Sequence, residues 1–255
     1  MSTFKLSALI ILGSLATAHA GPAARPAVKT IVLVHGAFAD GSSWDRVTPA
    51  LLASGYNVVA VHEPLSSLAD DVAATRRVIE AQPGPVLLVG HSYGGAVITE
   101  AGTSDKVAGL VYVAAFVPDA GESVNDLGKG QPVPPWVPQL VIDSAGFASL
   151  PPAVVATDFA QDLPGGETRL IASKQGPIAV RCFDDHLTSA AWHTKPVWYV
   201  RAEQDHMIDP AAQAAMAARA GARVSNVRTS HVPMLSRPRE VTEVILAAAA
   251  GHRGS

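Results

Sequence analysis

One ten-residue stretch constrains the fold most, because it joins a buried strand to a helix through a serine between glycines. Residues 86–95 read VLLVGHSYGG. The four apolar residues predict a short buried strand, and residues 96–98 begin a helical pattern. Gly90 and Gly94 lie two residues before and two residues after Ser92, which fits a sharp strand-to-helix turn with a strained, accessible serine. The stretch therefore predicts Ser92 as a nucleophile.

The rest of the chain alternates between strand and helix patterns. With 255 residues, of which 48% are hydrophobic, the chain can bury a large core in one α/β domain. The predicted strands cover 30–34, 56–61, 86–89, 107–116, 196–201 and 223–228, and the predicted helices cover 44–54, 68–81, 96–101, 210–220 and 240–250. This order predicts the α/β class, with a mostly parallel sheet and helices on both faces.

The alternation breaks in a proline-rich segment at about 119–194. We interpret this segment as a cap insertion that packs over the carboxyl edge of the sheet. Residues 21–255 are then predicted to form a single domain that includes the cap.

The first twenty residues predict a secretory signal peptide at 1–20. Lys5 precedes an apolar run from Leu6 to Ala16, and Ala18-His19-Ala20 fits the pattern for cleavage after Ala20. The run is short for a membrane span, so we expect an exported protein, periplasmic or secreted, without a stable membrane anchor. The alternative is an uncleaved N-terminal anchor.

Charge and cysteine content exclude several classes of function. The net charge is −3 and no block of basic residues is present, which argues against nucleic acid as a partner. Cys182 is the only cysteine, so an internal disulfide is impossible and a thiolate metal cluster is not expected.

A nucleophilic serine needs a base and an acid, which on this architecture follow it in the order acid, then histidine. His231 follows the last predicted strand, where its loop can reach back to Ser92, and it is our candidate base. Asp205 follows the strand at 196–201 and is our candidate acid. Glu203 and Asp119 are the alternatives, since each also lies near a strand end.

Other residues near these loops have expected supporting roles. The backbone N–H of Tyr93 is one expected oxyanion donor, because Tyr93 follows the serine. The second comes from the loop after the first strand, where we prefer Phe38 over Ala37. His35 and His91 are expected to support turns through hydrogen bonds.

These features together resemble the α/β-hydrolase superfamily over nearly all of residues 29–250. More narrowly, the chain is similar to small esterases related to plant methyl esterases and hydroxynitrile lyases. The similarity lies in His35-Gly36-Ala37, in Gly41-Ser42-Ser43-Trp44, in the elbow, which is the strand-to-helix turn around Ser92 at 90–95, and in the segment at 231–238. The resemblance implies a Ser92–Asp205–His231 triad, no cofactor and no metal, and a small apolar pocket under a cap.

The resemblance implies an esterase rather than a lyase. The lyases of the family carry Thr after the first-loop His and Lys after the catalytic His, where this chain has Gly36 and Val232. We therefore expect a serine hydrolase that cleaves a small-molecule ester through an acyl-enzyme.

The alternatives are perhydrolase or haloperoxidase, lactone, amide or lyase chemistry at the same site, and a low-turnover ligand-binding protein. The candidate pocket residues are Phe38, Tyr93, Phe116, Trp136, Phe147, Phe159 and Trp192. The oligomeric state is not predicted.

Overall fold

The structure, a computed structural model, describes residues 28–251. The predicted signal peptide and its cleavage site lie outside these residues. None of the helices in the described part of the chain combines the length and the apolar character that a membrane span requires.

Within residues 28–251, six parallel strands form the main sheet in the order β2-β1-β3-β4-β8-β9. Their bounds are β1 Thr30–Val34, β2 Asn57–Ala60, β3 Val86–His91, β4 Val107–Val113, β8 Val197–Ala202 and β9 Arg223–Val227. The central strands β1 and β3 are buried along their whole length, as their continuous apolar runs predict. The predicted α/β class, a mostly parallel sheet with helices on both faces, is confirmed.

The strand order reverses between β1 and β3, which are neighbours in the sheet. The chain leaves β1 toward β2 on one side and leaves β3 toward β4 on the other. In open parallel sheets, this reversal opens a crevice at the carboxyl ends of the two strands, where ligands bind. The loop after β1 and the turn after β3 both lie at this position.

The helices pack in two groups on the sheet. Helices α2 and α3 contact each other and the central strands, while α1 and α8 contact each other and the sheet. The bounds are α1 Thr48–Ala53, α2 Leu68–Glu80, α3 Gly94–Ala101, α4 Pro152–Val154, α5 Gly165–Lys174, α6 Pro210–Arg219, α7 Pro233–Ser236 and α8 Pro238–Ala249.

The segment between β4 and β8 forms short elements instead of the regular alternation. It contains a small antiparallel sheet of β5 Val141–Ile142, β6 Phe147–Ser149 and β7 Ile178–Ala179. Short 3-10 helices in this segment cover Asn125–Gly128, Val137–Gln139, Val180–Phe183 and Ala191–His193, and a π-helical turn covers Val155–Phe159. One more 3-10 helix, Gly41–Trp44, lies between β1 and α1.

Two predicted boundaries are wrong for local reasons. The strand predicted at 107–116 ends at Val113, because Ala114 has a φ of +43° that leaves the extended conformation. The helix predicted at 44–54 is split. The Asp40 side chain caps a 3-10 turn at Gly41–Trp44, and a separate helix begins at Thr48 with a proline in its first turn.

Candidate active site

Ser92 lies in a sharp turn between β3 and α3. Its φ of +51° is in the left-handed region, which is strained for a residue with a side chain. The turn closes when Gly95 N–H donates to the Ser92 carbonyl at 2.9 Å. A side chain at Gly90 would meet the Gly94 carbonyl oxygen at 2.6 Å. Glycines two residues before and two residues after Ser92 therefore allow the strand and the helix to approach this closely.

Asp205 and His231 come from different loops and meet in a buried ion-pair geometry. His231 Nδ1 lies 2.8 Å from Asp205 Oδ2, and both side chains are essentially inaccessible to solvent. With Nδ1–H donated to the carboxylate, Nε2 is left free to accept a proton. This is the arrangement that a base and its orienting acid require.

His91, the residue before Ser92, holds the loop that carries His231. Burial is the main reason that the pKa of His91 lies well below its ordinary value, so the ring is neutral. His91 Nε2–H donates to the His231 backbone carbonyl at 2.7 Å, and the two rings lie 4.8 Å apart between centroids. The elbow and the His231 loop are therefore joined directly.

The Ser92 hydroxyl makes no hydrogen bond within residues 28–251. Hydrogen bonds of catalytic groups are often long before substrate binds. The structure brings Ser92 next to the His91–His231 contact, and the transfer of a proton from Ser92 to His231 stays a prediction.

The two expected oxyanion donors are backbone amides without partners. Phe38 and Tyr93 are buried, and within the described residues neither N–H donates a hydrogen bond. The amide of Ala37 is equally unpaired, so it remains the alternative. Phe38 also has a φ of +59°, which shows a constrained turn in this loop. Buried amides seldom stay unpaired, and here they lie at the ends of β1 and β3.

The alternative acids lie elsewhere. Glu203 is exposed. Asp119 is partly exposed and accepts a hydrogen bond from His193 Nε2 at 2.8 Å. Asp209 caps α6 by accepting from Ala211 N–H at 2.6 Å. Asp205 is the carboxylate that contacts His231.

Sequence reasoning missed two residues that brace this pair. Gln213 is fully buried on α6 and donates from Nε2 to Asp205 Oδ2 at 2.8 Å. Asp162, in the segment between β4 and β8, accepts from Ser230 N–H at 3.0 Å and from the Thr229 hydroxyl at 2.9 Å. Gln213 is a polar residue on the otherwise apolar face of α6, and this was the one sequence signal of its role.

His35 supports the first loop, as expected of it. Its Nδ1 lies 2.9 Å from the Gly36 carbonyl and 3.4 Å from Glu63 Oε2. Burial lowers the pKa of His35, so the ring is neutral and the bond to Gly36 shapes the turn. Within residues 28–251, no group of three or more His, Cys, Asp or Glu side chains is placed to hold a metal ion.

A cavity of about 170 Å³ adjoins the site. Its apolar wall comprises Phe38, Phe159, Leu170, Ile171, Val232 and Leu235. The Phe159 ring lies 5.2 Å from the His231 ring, which places this wall beside the candidate base. Of the aromatic residues predicted for a pocket, Phe38 and Phe159 line this cavity. Trp136 and Trp192 donate instead to the carbonyls of Met207 and Pro118.

Gly36 makes a close contact that a methyl group would disrupt. A Cβ there would lie 2.8 Å from Ser92 Cβ and 2.9 Å from His91 Nδ1. Gly36→Ala should displace the oxyanion loop and lower kcat for an activated ester by about 10²-fold, the lower range for a lost donor.

Gly41→Ala is the matched control for Gly36→Ala, because its added Cβ makes an ordinary contact of 3.5 Å with Ala60. Steady-state kinetics and thermal unfolding of both variants check this prediction. Full activity in Gly36→Ala would show that the loop tolerates the methyl group.

A family model for the alpha/beta hydrolase family matches residues 31–244. The chain belongs to the alpha/beta hydrolase family. The predicted resemblance is therefore confirmed, and the strand–turn–helix at Ser92 lies inside the matched range.

Several relatives of the chain are named as hydrolases or esterases. A carbendazim hydrolyzing esterase from Nocardioides sp. is 32% identical over 178 residues, which cover 64% of this chain and 71% of the relative. Methylesterase 8 from Arabidopsis thaliana is 24% identical over 86% of this chain and 88% of the relative.

The crystal structure of a pyrethroid hydrolase from Sphingobium faniae has the same fold. Its TM-score is 0.78 at 24% identity, and the match covers 87% of this chain and 97% of the other. Together with the named relatives, the family supports an ester-cleaving hydrolase.

Proposed function

We propose that this alpha/beta hydrolase is a serine esterase that cleaves a small carboxylic ester through an acyl-enzyme on Ser92. The observation that carries the proposal is the strained Ser92 at the strand–helix turn, next to unpaired buried amides at Phe38 and Tyr93. A strained backbone persists only where its surroundings hold it, and such strain concentrates at functional sites.

The first half of the reaction forms the acyl-enzyme. Ser92 Oγ attacks the ester carbonyl while His231 Nε2 takes the hydroxyl proton. Asp205, at 2.8 Å from His231 Nδ1, holds the ring orientation and stabilises its positive charge. The amides of Phe38 and Tyr93 donate to the oxyanion, and His231 returns the proton to the leaving alcohol.

The second half releases the acid. A water molecule gives a proton to His231 and attacks the acyl carbonyl, and the proton then passes to Ser92 Oγ as the acid departs. The apolar wall of the cavity favours an uncharged substrate group beside His231, because a buried charge without a partner would be costly there.

The contacts of Gly36 argue against the lyase alternative. A Cβ added at this position would lie within 3 Å of Ser92 and of His91. The threonine that the lyases of the family carry there is larger still, so this loop does not hold it in its present form. Val232 likewise brings no positive charge beside His231.

Covalent labelling tests the proposal directly. The purified protein is treated with a fluorophosphonate probe and with p-nitrophenyl esters of graded acyl length, followed by intact-mass and peptide analysis. We expect hydrolysis of short acyl esters, one probe per chain on Ser92 and parallel loss of activity. Hydrolysis that persists after full labelling of Ser92, or labelling of another residue instead, would overturn the serine mechanism.

A further inference from the structure

A carboxylate that the proposed mechanism does not use lies behind the elbow. Asp71, on α2, is completely buried, and each of its oxygens accepts one hydrogen bond. The Tyr93 hydroxyl donates to Oδ2 at 2.8 Å, and Leu65 N–H donates to Oδ1 at 2.8 Å. Charged side chains are seldom buried without a role or a partner.

The partner of Asp71 is the residue whose amide is the proposed oxyanion donor. Tyr93 is fully buried, and its ring also packs edge-on against Phe183 at 5.9 Å between centroids. The hydrogen bond to Asp71 holds the far end of this side chain, while the near end is the peptide that follows strained Ser92. The hydrogen bond therefore restricts the side chain of the residue whose N–H is the proposed oxyanion donor.

Asp71 also joins the elbow to the segment between β4 and β8. Leu65, which donates to Asp71, has a φ of +54°, and its carbonyl accepts from Ala179 N–H of β7 at 2.8 Å. The carboxylate thus holds two strained turns, at Leu65 and at Ser92, in a fixed relation.

We propose that Asp71 is a positioning residue for the reaction at Ser92: through the Tyr93 hydroxyl, it orients the Tyr93 N–H toward the oxyanion. This inference rests on the proposed esterase function. Because oxyanion donors act on the transition state more than on bound substrate, losing the orientation should lower kcat and leave KM nearly unchanged.

The surroundings of Asp71 make this orientation sensitive to pH. Burial raises the pKa of Asp71 to about 6, while the hydrogen bonds from Tyr93 and Leu65 oppose the shift. Asp70 on the same helix and Asp185 from the segment between β4 and β8 raise it further. The buried carboxyl of Glu63, whose own pKa is raised well above its ordinary value by burial and by Asp71, also faces this site. The buried thiol of Cys182 faces it as well, and burial and Asp71 raise the pKa of that thiol.

Protonation would break the pattern of two donors facing two acceptors. Leu65 N–H can only donate, so a proton on Asp71 must lie on the Tyr93 side and reverse that hydrogen bond. The active form is then the ionised one, and kcat should fall as the pH drops through about 6.

Tyr93→Phe and Asp71→Asn test the proposal with a p-nitrophenyl ester. We expect each variant to lose about 10-fold in kcat, less than the loss of a whole donor, with KM within about twofold of the wild type. The double variant should be no worse than the worse single variant, because both changes remove one interaction. In Asp71→Asn, the roughly tenfold fall in kcat that the wild type is expected to show as the pH drops through about 6 should be absent.

Tyr112→Phe is the matched control. Tyr112 is another fully buried tyrosine, and its hydroxyl bonds to the Thr99 hydroxyl at 2.8 Å rather than to a carboxylate. We expect it to lower thermal stability as Tyr93→Phe does, with wild-type kcat and wild-type pH profile.

Wild-type kcat in Tyr93→Phe, or a loss equal to that of Tyr112→Phe, would overturn the positioning role. Multiplied losses in the double variant would do the same. A wild-type protein that hydrolyses no ester would instead overturn the proposed function itself, which separates the two failures.

Discussion

Ser92→Ala is expected to lower kcat for an activated ester by about 10⁶-fold, the loss seen when a serine hydrolase is deprived of its nucleophile. The turn at Ser92 is closed by backbone bonds from the Gly95 and Phe116 amides to the Ser92 carbonyl, at 2.9 and 3.1 Å. The variant should therefore keep its fold while it loses the attacking oxygen.

The measurements are kcat and KM for the ester, the thermal midpoint, and reaction with a fluorophosphonate probe. Ser54→Ala is the control, because Ser54 directly follows α1 and its exposed hydroxyl bonds to the Ala50 carbonyl at 2.8 Å. A folded Ser92→Ala protein that retains more than about a thousandth of wild-type kcat would point to a mechanism without covalent catalysis.

The elbow could be predicted from the sequence because all of its determinants are local. Strand, small residues and helix follow one another within 86–101, and the spacing of Gly90 and Gly94 around Ser92 carries the geometry. The parallel sheet was equally predictable, since its central strands are continuous apolar runs bounded by turns.

Contacts between distant elements leave no comparable local signature. Gln213 meets Asp205 across the loop that precedes α6, and Asp71 meets Tyr93 across 22 positions. The sequence offered no pattern for these buried partners. Tertiary packing decides such contacts, and periodicity reports only which face of a helix is buried.

The strained positions also divide by whether they have a sequence signal. For Ser92 the signal is the pair of flanking glycines. Leu65 and Ala114 also adopt positive φ angles, but no glycines flank them. Because the sequence around Ala114 gives no signal of this turn, the strand predicted at 107–116 is three residues too long. The region between β4 and β8 combines such turns with prolines, so its short strands escaped prediction.

Asp205→Asn is expected to lower kcat by about 10⁴-fold, because it places the wrong tautomer on His231. Four donors surround the Asp205 carboxylate. His231 Nδ1 and Gln213 Nε2 each lie 2.8 Å from Oδ2, and the amides of Met207 and Ile208 lie 2.8 and 3.1 Å from Oδ1.

An asparagine amide group cannot satisfy these four donors. If its NH₂ faces Met207 and Ile208, donors oppose donors. If it faces His231, it donates to Nδ1, so the ring proton moves to Nε2 and that nitrogen can no longer accept the proton of Ser92. The second orientation keeps the backbone bonds intact, so we expect a folded protein with a disabled base.

Glu203→Gln is the matched control for the acid, since it makes the same chemical change two residues away at an exposed position. It should retain wild-type kcat, and both variants should be compared by kinetics and thermal unfolding at one pH. If Glu203→Gln lost activity while Asp205→Asn kept it, the acid of the triad would be Glu203. Because the carboxylate at 2.8 Å from His231 belongs to Asp205, we expect the opposite result.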